Sequence, residues 1–230
     1  MAAIGGADTR TTDPAFTPPI CLGLTSRLGS LLDHYIPNLP PSQQPSPDIP
    51  ASFLHAMHIR EAVYVHEQHI PLENELDEDD RKSYYSVAYA ADQPVGCIRL
   101  VPPPDDPVHV FDKHRQINGE TYVGEVKSDV HDGSEIFVKL GRLAVLKEWR
   151  GKDVSRLLVE RAVEWAATHD AALSDEGEFK GLVLVHAQIG LQKFWSRHGF
   201  VLDEGMGIWD EEGIDHVAMW RRLEVKECES

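Results

Sequence analysis

The chain has 230 residues and a formal net charge of −16, long enough to bury one good core without requiring a second domain. No apolar run approaches the roughly 20 residues that span a bilayer, so no membrane partner is expected. An acidic chain without a basic stripe does not suit nucleic acid either, since binding needs cations to displace counterions.

Cys21, Cys97 and Cys228 are few, odd in number and far apart, the pattern of free thiols in a reducing compartment. The twelve histidines lack a ligand spacing such as HExxH, so no metal site is expected. The opening MAAIGGADTR has neither a basic n-region nor an apolar h-region, which makes the cytoplasm, with the nucleus as alternative, the expected compartment.

Residues 1–50 are rich in Pro, Ser and Thr, and read as an arm in which LGLTSRLGSLLDHYI makes one short helix. Residues 51–230 form the body. Its first helix runs from Phe53 to His69, bends near its end and stops at Pro71. The following ENELDEDD, with six acids in eight residues, reads as a solvated loop. YYSVAYA and PVGCIRLV flank the break at Asp92, Gln93 and Pro94, which signals an antiparallel hairpin. An insertion over about 102–135 has little periodicity, and serves as a lid, a substrate-binding element or a mobile excursion.

IFVKLGRLAV then reads as a buried central strand interrupted by Lys139 and Arg142. Arg150, Gly151, Lys152 and Asp153 form a polar turn, and Leu157, Leu158, Ala162, Trp165 and Ala166 follow at helical spacing. Such a junction aims unpaired backbone N–H groups and the positive end of the helix dipole at one spot, to which Arg150, Lys152 and Arg156 add charge. That spot suits a phosphate. A polar excursion from His169 to Lys180, a strand over GLVLVHA, a helix carrying Leu191, Phe194, Trp195 and His198 with Gly199 as its cap, and two final strands around Gly213 complete the chain.

The LAV strand, the Arg150-to-Ser155 turn and the amphipathic helix resemble the acetyl-CoA-binding core of the GNAT N-acetyltransferase superfamily. REAVYVHEQHIP with Asp77 and Asp80, LGRLAV with RGKDVS, HAQIGLQKFWSRHGF and WDEEGIDHVAM, taken in order, resemble its ElaA-type branch. The resemblance implies an α/β (α+β) fold whose mixed, mostly antiparallel sheet is flanked by helices. It implies an enzyme that moves an acetyl group from acetyl-CoA to a primary amine, which is a small cationic amine, an amino sugar or a lysine.

By the same resemblance Leu143, Ala144 and Val145 contact the cofactor through the backbone. Arg150, Gly151, Lys152, Asp153, Val154, Ser155 and Arg156 cradle its pyrophosphate, and Gln188, Phe194 and Trp195 line its path. Asp153 and Ser155 stand where the broad family has Gly or Ala. Asp tolerates a left-handed backbone better than most residues, but its charge opposes pyrophosphate unless it points away.

Some members carry a basic Glu where this chain has Lys139. Glu67 and then His216 are the candidate proton acceptors, because a carboxylate or a near-neutral imidazole can each take the amine proton through water. Arg99 and Arg142 orient a carboxylate of the acceptor, bind cofactor or neutralise buried acids. Trp195 replaces the Tyr that often protonates the departing thiolate, and indole is no acid near neutral pH. A catalytically silent acyl-CoA sensor or scaffold is therefore the alternative reading, and a homodimer is open.

Overall fold

The apolar run of the central strand sets the architecture, because a strand buried on both faces needs a layer of helices on each. The computed structural model describes residues 20–25, 27–103, 115–117, 120–122, 128–173 and 179–225. Most of the 102–135 connection, the first 19 residues and residues 174–178 of the polar excursion lie outside them.

The strands are β1 (Ile20–Thr25), β2 (Tyr84–Ala90), β3 (Gln93–Val101), β4 (Arg115–Ile117), β5 (Glu120–Tyr122), β6 (Phe137–Val145), β7 (Leu182–Gln188), β8 (Val201–Leu202), β9 (Ile208–Glu211) and β10 (Ile214–Arg222). They form one sheet among the described residues, ordered β1-β2-β3-β6-β7-β10-β9-β4-β5, with β8 also on β10. Every pairing is antiparallel except β6 with β7. The fold is thus the mixed, mostly antiparallel α/β arrangement that the sequence implied.

Helices α1 (Ala51–Arg60), α2 (Leu72–Glu75), α3 (Val154–Thr168), α4 (Asp170–Leu173) and α5 (Gln192–Arg197) cover the sheet. On one face Val154, Leu158, Ala162 and Trp165 of α3 pack on Ile98, Leu100, Val138, Leu140 and Val185. On the other, Phe53, Met57 and Ile59 of α1 pack on Tyr85, Val87, Cys97 and Ala144. Farther along that face, Phe137, Leu184, Trp209 and Trp220 form a smaller cluster.

Two expectations need correction. LGLTSRLGSLLDHYI is not one helix: its first part lies in β1, paired with β2 from Ile20↔Ala90 to Thr25↔Tyr85, and only Gly29–His34 is a 3-10 turn. Pairing to an open sheet edge overrides local helical preference there. Within the 102–135 connection, β4 and β5 pair as a hairpin and Gln116 of β4 pairs with Asp210 of β9. The acidic stretch after Pro71 is not a solvated loop: it forms α2 and a 3-10 turn over Glu78–Arg81, with Glu75 and Asp80 buried.

The helix expected from Phe53 to His69 is α1 continued without interruption into a π-helical turn over Glu61–Glu67. Gln68 N–H bonds the Val63 carbonyl at 3.1 Å, five residues back. Widened turns of this kind occur frequently at functional sites.

Close approach of α3 to the sheet depends on Gly96 of β3. A Cβ there would stand 2.9 Å from Val154 Cγ1, 3.1 Å from Leu158 Cδ1 and 3.2 Å from the Ala144 carbonyl. Gly96→Ala should therefore destabilise the fold by about 1–3 kcal/mol, the usual cost of overpacking, read as a lower denaturation midpoint at unchanged slope.

Candidate active site

Strands β6 and β7 are parallel only from Phe137↔Leu182 to Leu140↔Val185. Beyond that pair they part, so residues 141–145 of β6 and 186–188 of β7 flank an opening with no ladder between them. On its other edge β6 keeps pairing with β3, through a bulge: Cys97 faces Ala144 and Arg99 faces Gly141, so Ile98 stands opposite both Arg142 and Leu143. Arg142 takes φ +49°, a left-handed conformation uncommon for a side chain of this size. The extra residue reverses the strand's facing, which puts Ala144 in the α1-side cluster and Val145 in the α3-side one.

Tyr64, in the π-helical turn, donates its hydroxyl to the Leu143 carbonyl at 2.9 Å, satisfying a backbone group in the parted half of β6. Burial pushes its phenol pKa up, so it is neutral and keeps its proton. No sequence pattern singled it out, because the contact joins residues 79 apart. At the mouth, Gln188 Nε2 donates to Gln68 Oε1 at 3.3 Å, tying the end of β7 to the end of the same turn.

The turn before α3 has the expected shape. Gly151 and Asp153 take φ +72° and +63°, and Asp153 caps α3 without a side-chain bond to the helix backbone. Its carboxylate lies 3.3 Å from Arg156 Nη2, and Arg156 also meets Glu160 at 2.7 Å. Lys152 Nζ sits 4.6 Å from the Trp149 ring centre. Arg150 donates from Nε to the Val145 carbonyl at 3.0 Å and from Nη2 to Glu67 at 2.8 Å. Glu67 and Arg150, singled out for different roles, are thus one ion pair. Val154 is core, and Trp195 is buried against Phe194 and Phe200 on the α3 face.

Arg99 and Arg142 belong to a buried network with Arg60. Arg60 contacts Glu75 and holds Asp80 at 2.7 Å. Arg99, with its side chain 3% exposed, holds Asp77 at 2.6 Å and Asp80 at 2.7 Å. Arg142, 28% exposed, reaches Asp77 at 3.2 Å, while its Nε lies 3.6 Å from Glu75. Of the three roles considered for these arginines, the contacts present are those to acids, Glu75 and Asp80 buried and Asp77 partly exposed. Burial alone would raise the Asp80 pKa, but Arg60 and Arg99 outweigh it and hold the carboxyl far below the usual range.

Across the opening, on the same sheet face as Lys139, lie His186 and Gln188 of β7, His216 of β10, and Trp209 and Glu211 of β9. His216 Nδ1 lies 2.8 Å from the Ile214 carbonyl, which only accepts, so Nδ1 carries the proton and a neutral ring keeps its lone pair on Nε2. Glu211 Oε1 accepts from Trp209 Nε1 at 2.8 Å and contacts His186 Nδ1 at 2.7 Å. Lys139 Nζ is 3.1 Å from the same Nδ1.

Burial and then Lys139 push the His186 pKa down to about 4, so its imidazole is neutral at pH 7. Burial would raise the Glu211 pKa, but His186 and Lys139 hold it well below the usual carboxylate range. Burial lowers that of Lys139. The sequence flagged Lys139 only as the residue in a Glu position, and missed His186 and Glu211. A period of two along β7, starting from the buried Leu182 and Leu184, would have put His186 beside Lys139. Among the described residues no group of three or more His, Cys, Asp or Glu is arranged to hold a metal ion, and no helix is long and apolar enough to cross a membrane.

A parted parallel pair, with an Arg-Gly-Lys turn leading into the N-terminus of α3, defines an acyl-CoA-dependent N-acyltransferase, and the chain belongs to the GNAT family. The family model described as acetyltransferase (GNAT) domain matches residues 81–202. It is an N-acetyltransferase, and acetyl-CoA is its co-substrate.

Among relatives, it is 29% identical over 167 residues to the uncharacterized N-acetyltransferase YjcF of Bacillus subtilis (strain 168), covering 72% of this chain and 89% of that one. It is similar to the crystal structure of a putative N-acetyltransferase from Lactobacillus plantarum (TM-score 0.53, 25% identity, 76% of this chain and 92% of that one). Escherichia coli ElaA shares the fold (TM-score 0.52, 20% identity, 88% of this chain and 99% of that one).

The buried network makes stability acid-sensitive. The Asp80 contribution is complete above the unfolded carboxylate pKa of about 4 and is lost as pH falls from there toward its depressed folded value. Asp80→Asn, which leaves Arg60 and Arg99 short of a charge, should cost about 3–5 kcal/mol at pH 7 and flatten the fall in denaturation midpoint below about pH 4.

Proposed function

We propose that this enzyme acetylates a primary amine by direct attack on the thioester, with the parted ends of β6 and β7 as the seat of the reaction. The single observation that carries this reading is the end of the β6–β7 ladder at Leu140↔Val185 directly upstream of the cationic turn. Acetyl-CoA supplies the activated acetyl group and a thiolate leaving group.

The residues present suit that ligand. The backbone of Leu143, Ala144 and Val145 has no β7 partner, and Gly141 and Gly190 border open space. Backbone N–H groups near Leu143 and Val145 would stabilise the oxyanion. Arg150, Gly151, Lys152, Asp153, Val154, Ser155 and Arg156 would hold the pyrophosphate at the α3 N-terminus. Gln188 and Phe194 would border the pantetheine arm, and Trp195 would back it from the core.

An ammonium must lose a proton before its nitrogen can attack. In the net reaction it gives up two, one ending on the sulfur and one leaving to solvent. We assign His216 as the group that takes the departing proton, because its Nδ1 is committed to Ile214 and its Nε2 lone pair is left over. Glu67, bound to Arg150, would hold that guanidinium over the turn.

Calorimetric titration with acetyl-CoA, followed by thiol release over a panel of amines, tests the reading. Binding with release is expected. Binding without release from any amine would favour an acyl-CoA sensor, and no binding would end the assignment. Arg150→Glu should weaken acetyl-CoA binding at least about tenfold, or about 1.4 kcal/mol, through loss of a phosphate contact and repulsion of Glu67. Unchanged affinity would remove the pyrophosphate turn from the model of binding.

A further inference from the structure

Glu211 has no role in the reaction as assigned so far, yet it is placed where the acceptor must arrive. It belongs to β9, two strands away from β7, and its carboxylate crosses β10 to meet His186. In register, His186 pairs with Ala218 of β10 and Glu211 with Ile214 of the same strand. His186 is also the first β7 residue beyond the last β6–β7 pair, Leu140↔Val185. A carboxylate is thus delivered from β9 to the point where the strands part, while the β6 position beside it holds Lys139.

Its hydrogen bonding fixes what it offers. Trp209 Nε1 donates to Oε1, the contact with His186 Nδ1 falls on the same oxygen, and Oε2 has no described partner. The side chain is 37% exposed. His216, on the same face of the neighbouring strand, has its ring proton tied to Ile214. Tyr64 has its own proton tied to Leu143. The His216 ring and the Tyr64 hydroxyl, each with a single proton, therefore have it turned away from the opening, and their lone pairs remain. A ligand that only donates hydrogen bonds, with a positive charge, complements them; a primary ammonium has three N–H donors and no acceptor.

We propose that Glu211 binds the acceptor amine as its ammonium, with Oε2 as the anchor, and that the enzyme selects amines that are cationic at neutral pH. The inference rests on the acetyl-transfer reading and names the acceptor class for that same site. Trp209 and His186 are positioning residues: they hold the carboxylate at the parting point. The ammonium, once bound, gives one proton to His216 Nε2. The resulting imidazolium forms near the Glu211 carboxylate, which favours it, and the neutral amine nitrogen is left beside the thioester. Lys139 of β6 stands beside His186 at 3.1 Å and acts on Glu211 as well; it is the cation beside which the ammonium must be held.

The test is steady-state kinetics of thiol release for the wild type, Glu211→Gln and Glu211→Asp. Each is run at pH 7.5 with an alkyl diamine, an alkyl monoamine, and an aromatic amine that is uncharged at that pH. In Glu211→Gln the KM for the alkyl amines should rise at least about tenfold, the effect of one charge-assisted contact. The KM for the aromatic amine and the affinity for acetyl-CoA should stay within about twofold. Glu211→Asp should recover part of the alkyl-amine affinity. Equal losses for charged and uncharged amines, or a wild-type preference for the uncharged amine, would overturn the proposal and leave acetyl transfer standing. Absence of thiol release from the wild type with every amine would instead overturn the acetyl-transfer reading beneath it. If Glu211→Gln lowers the melting midpoint, Trp209→Phe replaces it, and its alkyl-amine KM must rise while the aromatic-amine KM does not.

Discussion

The parallel ladder between β6 and β7 is four residue pairs long, and the rest of the molecule depends on where it stops. A parallel pair is held by slanted hydrogen bonds and requires a crossover, here α3, to bring the second strand alongside the first. If the ladder ran on, backbone groups at 141–145 and 186–188 would satisfy one another. Because it stops, the polar groups of two strand ends need other partners. The Arg150 guanidinium and the Tyr64 hydroxyl take two carbonyls, and the proposed binding surface is built from what remains. Function here begins as an unfilled hydrogen-bond requirement.

The electrostatics follow from that opening. On one flank three arginines answer Glu75, Asp77 and Asp80, so half of the formal negative charge of the acidic stretch after Pro71 is paired locally. On the other flank Lys139, a neutral His186 and an ionised Glu211 come close to balance. The overall charge of the chain therefore says little about the field the acceptor meets. Individual hydrogen-bond polarity, set by where each proton is committed, is more informative than the sum.

The regular frame was legible in the sequence. The 137–145 strand, the turn at Arg150 and the α3 pattern were readable because their periodicity reflects burial on fixed faces. The left-handed conformation of Asp153 was anticipated from its tolerance of positive φ. Other features were not readable. Strand β1 forms because a sheet edge accepts it, and Glu75 and Asp80 are buried because Arg60, Arg99 and Arg142 arrive from α1, β3 and β6. The Glu211 carboxylate meets His186 of β7 across the intervening strand β10. Each depends on contacts between distant segments, and a local pattern of acids looks the same whether it is solvated or paired.

The widened helical turn over Glu61–Glu67 and the bulge at Arg142–Leu143 are each the result of one residue too many for a regular element. They meet at the Tyr64 hydroxyl and the Leu143 carbonyl, where the surplus of one supplies the donor that the surplus of the other leaves wanting. Deleting a residue from the helix alone would turn Tyr64 away and strand a carbonyl. Deleting one from the strand alone would put Ala144 on the wrong face beneath α1. The two insertions thus form a single unit of change: a chain can gain or lose them together far more readily than it can keep only one.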